Sequence, residues 1–456
     1  MNENPNHDFR QSIIKIQQSQ VLQLIIEKLV YGGDGLARLP ADEHGSGKAV
    51  FVPFVLPGER VEAAVVEEKP GFVRAHADTI LEASPQRIEP LCPYFQRCGG
   101  CHYQHASYEH QLEIKAAILK ENLRRIAKLE LDKELKVHPS PAWNYRNRAR
   151  LKVQTEPEFA LGYYKFNSHE LLPVEQCPIS SPLINRAIAT IWELGRTGKV
   201  ANGIQEIEFF TNADDTHLLI EAYCAPEIRK DTAKQWTLEV QNSLPEVVGV
   251  VIFKARHANA AAQGTSDPEQ IALSGAAEIT YKTQHASYRV SAGAFFQVNR
   301  HLTDELANVV TEGRSGRTAL DLYAGVGLFS TVLSREFAQV IAVESSPTSY
   351  ADLHYNSPPN VKAVRATVEH YLKNVAGELQ PDLVVMDPPR SGLGKSVIQA
   401  LVTMGAPHGI YVSCDPATLS RDLGGLLKSG YRVGEAHLVD LFPQTYHLES
   451  VFHLAR

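Results

Sequence analysis

Four apolar runs in the last third of the chain restrict the fold more than any other feature, because each ends in a polar or glycine-rich tip and leads into a helical pattern. They are TALDLYAGVG at 318–327, QVIAVE at 339–344, PDLVVMDPPR at 381–390 and GIYVSCDPATLSRD at 409–422. Strands alternating with helices predict βαβ units and a parallel sheet, and in such sheets ligands bind outside the carboxyl ends of the strands. Cys414 stands at one of those ends. A cysteine is often no more than a small buried hydrophobe. Here three other polar strand tips converge on the same crevice, and a reactive thiol is recognised by such partners. Cys414 is therefore the candidate nucleophile.

The other tips have distinct chemistry. Gly325 and Gly327 precede a helix and let the backbone pass close to a ligand. The third glycine of a dinucleotide fingerprint would fall at Ser330, which makes S-adenosylmethionine (SAM) a better candidate than a nicotinamide cofactor. Glu344 stands about where a ribose diol would be held. Beyond residue 436, HLVDLF, PQTYHLE and ESVFHLAR predict a closing antiparallel pair with Glu449 where loop meets strand. Alone, a loop glutamate is usually just solvated.

A chain of 456 residues exceeds one core and predicts about two to four domains. With 44% hydrophobic and 21% charged residues it reads as an ordinary soluble globular protein, and no apolar run approaches the roughly 18 to 20 residues of a membrane span. The net charge of -7 excludes a polybasic nucleic-acid binder, so RNA contact would come from local patches. Residues 1–19 lack an apolar core and a cleavage site and read as a disordered cytoplasmic tail. Six clustered cysteines do not make a disulfide framework and suit a reducing compartment, the cytoplasm.

Residues 20–82 alternate on a period of two, broken at Gly32-Gly33-Asp34-Gly35 and Leu56-Pro57-Gly58-Glu59, and predict a small β-barrel. Such barrels often bind nucleic acid, but a plain interaction module fits the residues equally. VYGGDGLAR followed by AVFVPFVLPGERV resembles the TRAM domain of RNA-modification enzymes.

Cys92, Cys98 and Cys101 form C-x5-C-x2-C, and Cys177 follows far downstream in EQCPI. Zinc sites usually present paired C-x2-C knuckles from both halves. Three clustered cysteines with one distant Cys-Pro fit a [4Fe-4S] cluster better than zinc or unligated thiols. Cys224, in LLIEAYCA, reads as a core residue. Between the ligands, residues 108–130 predict a helix whose apolar stripe is Leu112, Ala116, Leu119, Leu123, Ile126 and Leu129, with Lys115, Lys120, Arg124, Arg125 and Lys128 mainly off it on a solvated face.

In WNYRNRARLK, Arg146, Arg148, Arg150 and Lys152 share one parity and would face one side of a strand. Like charges so aligned need an anion. RNA would supply it, with Trp143 and Tyr145 as stacking surfaces, and a solvated edge strand is the plainer reading. Residues 155–290 read as mixed strands and helices, with a loop at HANAAAQGTSDPEQ, near 257–270.

DLYAGVG, DPPRSGLG, SCDPATLSRDL and FPQTYHLESV together resemble the RNA uracil-C5 methyltransferase family, of the TrmA and RlmD type. The barrel and the four cysteines resemble its 23S ribosomal RNA branch. The resemblance implies a multidomain α/β chain: a TRAM barrel (20–82), a central α+β domain with a [4Fe-4S] cluster held by Cys92, Cys98, Cys101 and Cys177 (83–103 and 137–290), and a Rossmann-like class I SAM-dependent methyltransferase domain (104–136 and 291–456). It implies SAM contacts at Gln297, Tyr323, Glu344 and Asp387, a nucleophile at Cys414 and a general base at Glu449. Asp387 and Arg390 would border the pocket for the target base. Leu328 departs from members that carry a polar residue after the second glycine. A cytoplasmic monomer acting on RNA, with no membrane partner, is the expectation.

That chemistry explains the residue types. Addition of a thiolate to C6 of uracil makes an enolate whose C5 takes the methyl group. A base then removes the C5 proton so that the enzyme is eliminated. The target base must leave its stack, which looped or single-stranded RNA eases. A uracil-C5 enzyme for transfer RNA and a cytosine-C5 RNA methyltransferase remain open, as does an iron-sulfur oxidoreductase, for which no second cofactor motif is seen. A non-catalytic RNA-binding module leaves Cys414 and Glu449 without a purpose.

Overall fold

The computed structural model describes residues 21–40, 47–254 and 269–456. The expected tail at 1–19 and nearly all of the expected loop at 257–270 lie outside the described residues. The chain divides into two compact units, Met1–Val30 with Asp34–Pro85, and Tyr31–Gly33 with Gln86–Arg456.

The first unit holds β1 (Val21–Ile25), β2 (Lys28–Leu29), β3 (Asp34–Arg38), β4 (Ala49–Pro53), β5 (Arg60–Glu68) and β6 (Phe72–Glu82), in sheet order β1-β5-β6-β4-β3-β2. Alternation along AVFVP turns Val50 and Val52 inward. They join Leu24, Ala37, Val61 and Val73, so five strands share one core. A single sheet can do that only by curling on itself, as a small barrel does.

The second unit contains two large sheets. In chain order come α1 (Tyr108–Asn122), β7 (Lys136–His138), β8 (Arg148–Gln154), β9 (Ala160–Tyr164), β10 (Leu171–Pro173), α2 (Pro182–Arg196), β11 (Ile204–Thr211), β12 (Leu218–Cys224), α3 (Lys230–Ser243), β13 (Val247–Lys254) and β14 (Gln270–Gly275). Strands β8 to β14 form a sheet of order β10-β9-β8-β11-β12-β13-β14. Helix α2 starts where the Ser181 hydroxyl accepts from Ile184 N–H and Pro182 follows, then lays Leu183, Ile184, Ala187, Ile188 and Ile191 on that sheet. Cys224 lies in the same core.

A hairpin follows, β15 (Glu278–Lys282) with β16 (Ser287–Ser291), then α4 (Thr303–Thr311), β17 (Gly316–Leu322), α5 (Leu328–Leu333), β18 (Phe337–Glu344), α6 (Pro347–Asn356), β19 (Val361–Arg365), α7 (Val368–Val375), β20 (Leu383–Met386), α8 (Gly394–Met404), β21 (His408–Ser413), α9 (Pro416–Lys428), β22 (Arg432–Val439) and β23 (Glu449–Ala455). Arg289 Nε binds Asp352 at 2.6 Å and Ser291 N–H donates to Asp352 at 2.7 Å. The hairpin is thus tied to α6.

The second sheet has order β19-β18-β17-β20-β21-β23-β22-β7. Its first five strands are parallel and β23 is antiparallel to β21. From β17 the chain winds first toward β18 and later toward β20, which makes the β17/β20 boundary the switch point where a crevice opens. This is a doubly wound α/β sheet with an antiparallel closing edge.

Helix α1 differs from its sequence reading. It ends at Asn122 in a wide turn, Leu123–Ala127, and its buried positions are Gln111, Ile114, Lys115, Ile118 and Leu119, while Ile126 is 44% exposed. Lys115, expected on the solvated face, is fully buried. Its Nζ pairs with Asp440 at 2.5 Å and donates to the Phe442 carbonyl at 2.9 Å, so charge pairing rather than apolar periodicity sets the face.

Candidate active site and cysteine pocket

Strand β17 leaves the sheet through Tyr323, whose φ of +64° is uncommon for a bulky residue and marks an over-determined turn. Gly325 and Gly327 follow at φ +56° and +95°, and a Cβ on Gly327 would also meet Leu353 Cδ1 at 2.9 Å. The Gly325 amide donates to Glu344 Oε2 at 2.9 Å and the Ser346 amide to Oε1 at 2.7 Å. Glu344 therefore shapes the turn from the adjacent strand tip. Burial pushes its carboxyl above the usual range, against the pull of those amides. Ser330, in place of a third glycine, donates its hydroxyl to Asp321.

A cavity of about 340 Å³ opens above this turn, lined by Phe296, Gln297, Tyr323, Gly325, Leu328 and Asp387 among others. The structure thus brings Gln297, Tyr323, Gly325 and Asp387 together, while Glu344 reaches the cavity through Gly325. Leu328 adds an apolar wall, and its carbonyl accepts from Tyr288. Sequence reading missed Asp321 and Phe296. Burial raises the Asp321 carboxyl to about 7, and burial followed by repulsion from Asp321 raises Asp387 to about 7.

Asp387 also belongs to the neighbouring thiol site. Ser413 ends β21 opposite Ser450 of β23, so Cys414 and Glu449, the next residues outward, lie at the same end of the sheet. Asp415 accepts from the amides of Ala417 and Thr418 at 3.0 and 2.8 Å and caps α9, which places Cys414 at the positive end of a helix. Burial, then Glu449 and Asp387, push the Cys414 thiol up to about 12, while Arg390 opposes them. Glu449 is 6% exposed, and burial followed by Asp387 holds its carboxyl well above the usual range. Arg390 donates to His447 Nδ1 at 3.3 Å, and burial and this cation lower the imidazole to about 3. His447 is thus a neutral acceptor. Two acids, a thiol and one arginine thus act on one another electrostatically, and Asp387 links them to the neighbouring cavity.

Cys92, Cys98, Cys101 and Cys177 are free thiols lining one opening of about 480 Å³ with Gln104, Arg146 and Tyr163. Burial raises Cys92, lifts Cys98 to about 11 and pushes Cys101 higher still, while Arg146 opposes the shift at Cys98 and Cys101. Thiolates would therefore need a metal to stabilise them. A lone zinc draws four sulfurs to about 2.3 Å from itself and closes its site. Four cysteines are also the ligand set of an iron-sulfur cluster, and the buried Arg146 Nε, without a hydrogen-bond partner, would face its negative charge.

The basic row therefore has a different partner from the one expected. Arg146 faces the cysteine pocket. Arg148 donates to the Ala294 carbonyl at 2.7 Å, lies 3.4 Å from Glu208 and stacks on Phe210. Arg150 pairs with Glu208, directly across the ladder, and Lys152 with Glu206 in the same way. The anion that answers these cations is the neighbouring strand, so Arg146, Arg148 and Arg150 do not form a free RNA-facing row.

Glu435, His437 and His453 also bring three potential metal ligands within 4.8 Å of one another. Lys136 Nζ lies 3.0 Å from Glu435, and Arg314 Nη2 donates to His453 Nδ1 at 2.7 Å. Resident cations thus already engage Glu435 and His453.

Comparison with known proteins follows this geometry. Residues 107–456 match the model of the tRNA (Uracil-5-)-methyltransferase family, and residues 16–77 match the TRAM domain. An uncharacterized RNA methyltransferase of Aquifex aeolicus is 36% identical over 439 residues, covering 94% of this chain and 97% of that one. One from Streptomyces avermitilis is 32% identical, covering 93% and 96%. The crystal structure of Pyrococcus abyssi tRNA (uracil-54, C5)-methyltransferase with S-adenosyl-L-homocysteine superposes with a TM-score of 0.72 at 23% identity, over 95% of this chain and all of that one. No helix among the described residues is long and apolar enough to cross a membrane.

Proposed function

Because the chain belongs to the tRNA (uracil-5-)-methyltransferase family, we propose that it moves the methyl group of SAM to C5 of a uridine in RNA, with Cys414 as nucleophile and Glu449 as base. The observation that carries this reading is the place of Asp387, which lines the cofactor-sized cavity and lies within the electrostatic reach of Cys414 and Glu449. A methyl donor in that cavity and a base held over the thiol would meet there.

In this mechanism the Cys414 thiolate adds to C6 of a uracil turned out of its stack, and the C5–C6 double bond becomes an enolate. Arg390 and the amino end of α9 favour the thiolate against burial and the two carboxylates. C5 takes the methyl group, S-adenosylhomocysteine leaves, and Glu449, ionised, removes the C5 proton. The C6–sulfur bond then breaks and the thiolate returns. Gln297, Tyr323, Gly325, Gly327, Glu344 and Asp387 would bind SAM, with the two carboxylates of Glu344 and Asp387 suited to hydroxyl and amino groups. The pocket of Cys92, Cys98, Cys101 and Cys177 would hold a [4Fe-4S] cluster, which in this reading supplies a structural charge centre and no bond-making step.

The proposed substrate is 23S ribosomal RNA, on the joint presence of the TRAM domain and the four-cysteine pocket. The purified chain, given SAM and unmodified ribosomal or transfer RNA transcripts, should produce 5-methyluridine in the ribosomal transcript by nucleoside mass spectrometry. 5-Methylcytidine, or product in transfer RNA alone, would reject the base or the substrate.

A further inference from the structure

The loop from Asp440 to Glu449 is held at its middle by the walls of the cysteine pocket. Directly after Cys101, the amides of His102 and Tyr103 both donate to the Gln444 carbonyl, at 2.8 and 3.0 Å. On the other wall, Arg146 N–H donates to the Ile179 carbonyl and Asn144 N–H to the Pro178 carbonyl, which binds residues 144–146 to the Cys177 turn. From that segment the buried Tyr145 hydroxyl donates to the Pro443 carbonyl at 3.0 Å. Two adjacent carbonyls of one loop are thus fixed by two segments, one directly following Cys101 and one hydrogen-bonded to the turn that follows Cys177.

Gln444 is built for this position. It adopts φ +69°, a conformation that a non-glycine residue keeps only when its surroundings enforce it. Its amide donates to Gln111 Oε1 at 2.9 Å, and Gln111 Nε2 donates back to Gln444 Oε1 at 3.0 Å, all of it buried. Past Gln444, the Thr445 hydroxyl accepts from His447 N–H, and the next residues bring Glu449 to the end of the sheet that also carries Cys414.

We propose that the four-cysteine pocket sets the position of Glu449 through Gln444, so that filling the pocket governs the elimination step while cofactor binding is left to β17 and β20. Gln444 and Gln111 are positioning residues, and the inference rests on the reading of Glu449 as base. Elimination needs the carboxylate aligned with the C5 proton at the moment the C6–sulfur bond breaks, and small displacements there are costly. The cofactor cavity shares no residue with the clamp.

Two measurements on the full chain test this. The first needs no substrate: amide hydrogen exchange is compared between protein holding about four irons per chain and the same protein after the iron is chelated. Peptides covering 102–104 and 440–446 should exchange at least about tenfold faster without iron, while strand 409–413 is unchanged. No change in those peptides, or equal acceleration throughout, overturns the coupling. The second is a single turnover with RNA. Gln111→Ala should keep methyl transfer but accumulate the methylated protein–RNA adduct on a denaturing gel, and Gln111→Glu, which keeps the oxygen that accepts from Gln444 N–H, should restore elimination in part. Transfer and elimination falling together would overturn the inference. If wild type makes no 5-methyluridine the proposed function fails, and the exchange result still decides whether pocket and loop are linked.

Discussion

Cys414 and Glu449 flank the last residue pair of β21 and β23, Ser413 opposite Ser450, at one end of the sheet. They are close enough for the Glu449 carboxylate to act on the thiol. After burial, Glu449 contributes most to lifting the thiol to about 12, and Asp387 acts in the same direction on both. A thiol so raised is almost wholly protonated near neutrality. The proposed nucleophile is therefore held mainly as the thiol, with Arg390 as the countercharge.

The pH dependence of Cys414 alkylation checks this directly. Only the thiolate reacts, and a raised thiol pKa means that its fraction grows through the whole neutral and mildly alkaline range. Iodoacetamide labelling of Cys414 should rise about tenfold per pH unit between about pH 7 and 9. At the alkaline end, Glu449→Gln should speed labelling by removing a negative neighbour, and Arg390→Ala should slow it. Mass spectrometry of the peptide around residues 409–422 reads the rate at this cysteine alone. A rise of only about threefold between about pH 8 and 9 would place the thiol in its ordinary range, about 8.5, and contradict the electrostatics.

The strands at 318–322, 339–344 and 408–413 were legible because fully buried parallel strands are continuous apolar runs that stop where the crevice begins. The approach of Glu449 to Cys414 was not, since it depends on β23 returning to pair with β21 across an intervening helix, strand and nine-residue loop, and such pairing is a long-range property. Lys115 misled because helical periodicity sorts residues by polarity, whereas a buried ion pair with Asp440 places a charge on the inner face. The basic row was half legible. Its spacing was clear, and IQEIEFF carried the answering signal, Glu206 and Glu208 at the same spacing of two, but only the ladder of β8 on β11 makes them opposite.

Arg150 supplies a test of that ladder. If it served RNA, its loss would reduce the salt dependence of binding by about one unit of slope, since each phosphate contact releases counterions. Paired with Glu208 and stacked on Tyr223, it should do otherwise. Arg150→Ala is expected to leave the slope of log affinity against log salt unchanged while lowering the thermal midpoint. A flatter slope with an unchanged midpoint would return Arg150 to the RNA surface.

Lys115 and Asp440 offer the sharpest stability test, because neither side chain touches solvent. Desolvation pulls the Lys115 ammonium below its ordinary range and Asp440 pulls it back, so the pair is charged only as a pair. Lys115→Met would strand the Asp440 carboxylate with the Tyr108 hydroxyl, 3.0 Å away, as its remaining side-chain partner among the described residues. Breaking a buried pair from one side costs about 3–5 kcal/mol, whereas replacing both charges together is often far cheaper. Lys115→Met alone should therefore lower the midpoint of thermal unfolding markedly, and Lys115→Met combined with Asp440→Asn should recover much of the loss, a non-additivity that neighbours in one network show. Because Lys115 also holds the Phe442 carbonyl, the double variant should keep a mobile loop and slow elimination even where stability returns. Equal and additive losses in the two single variants would mean that the ion pair does not organise this loop.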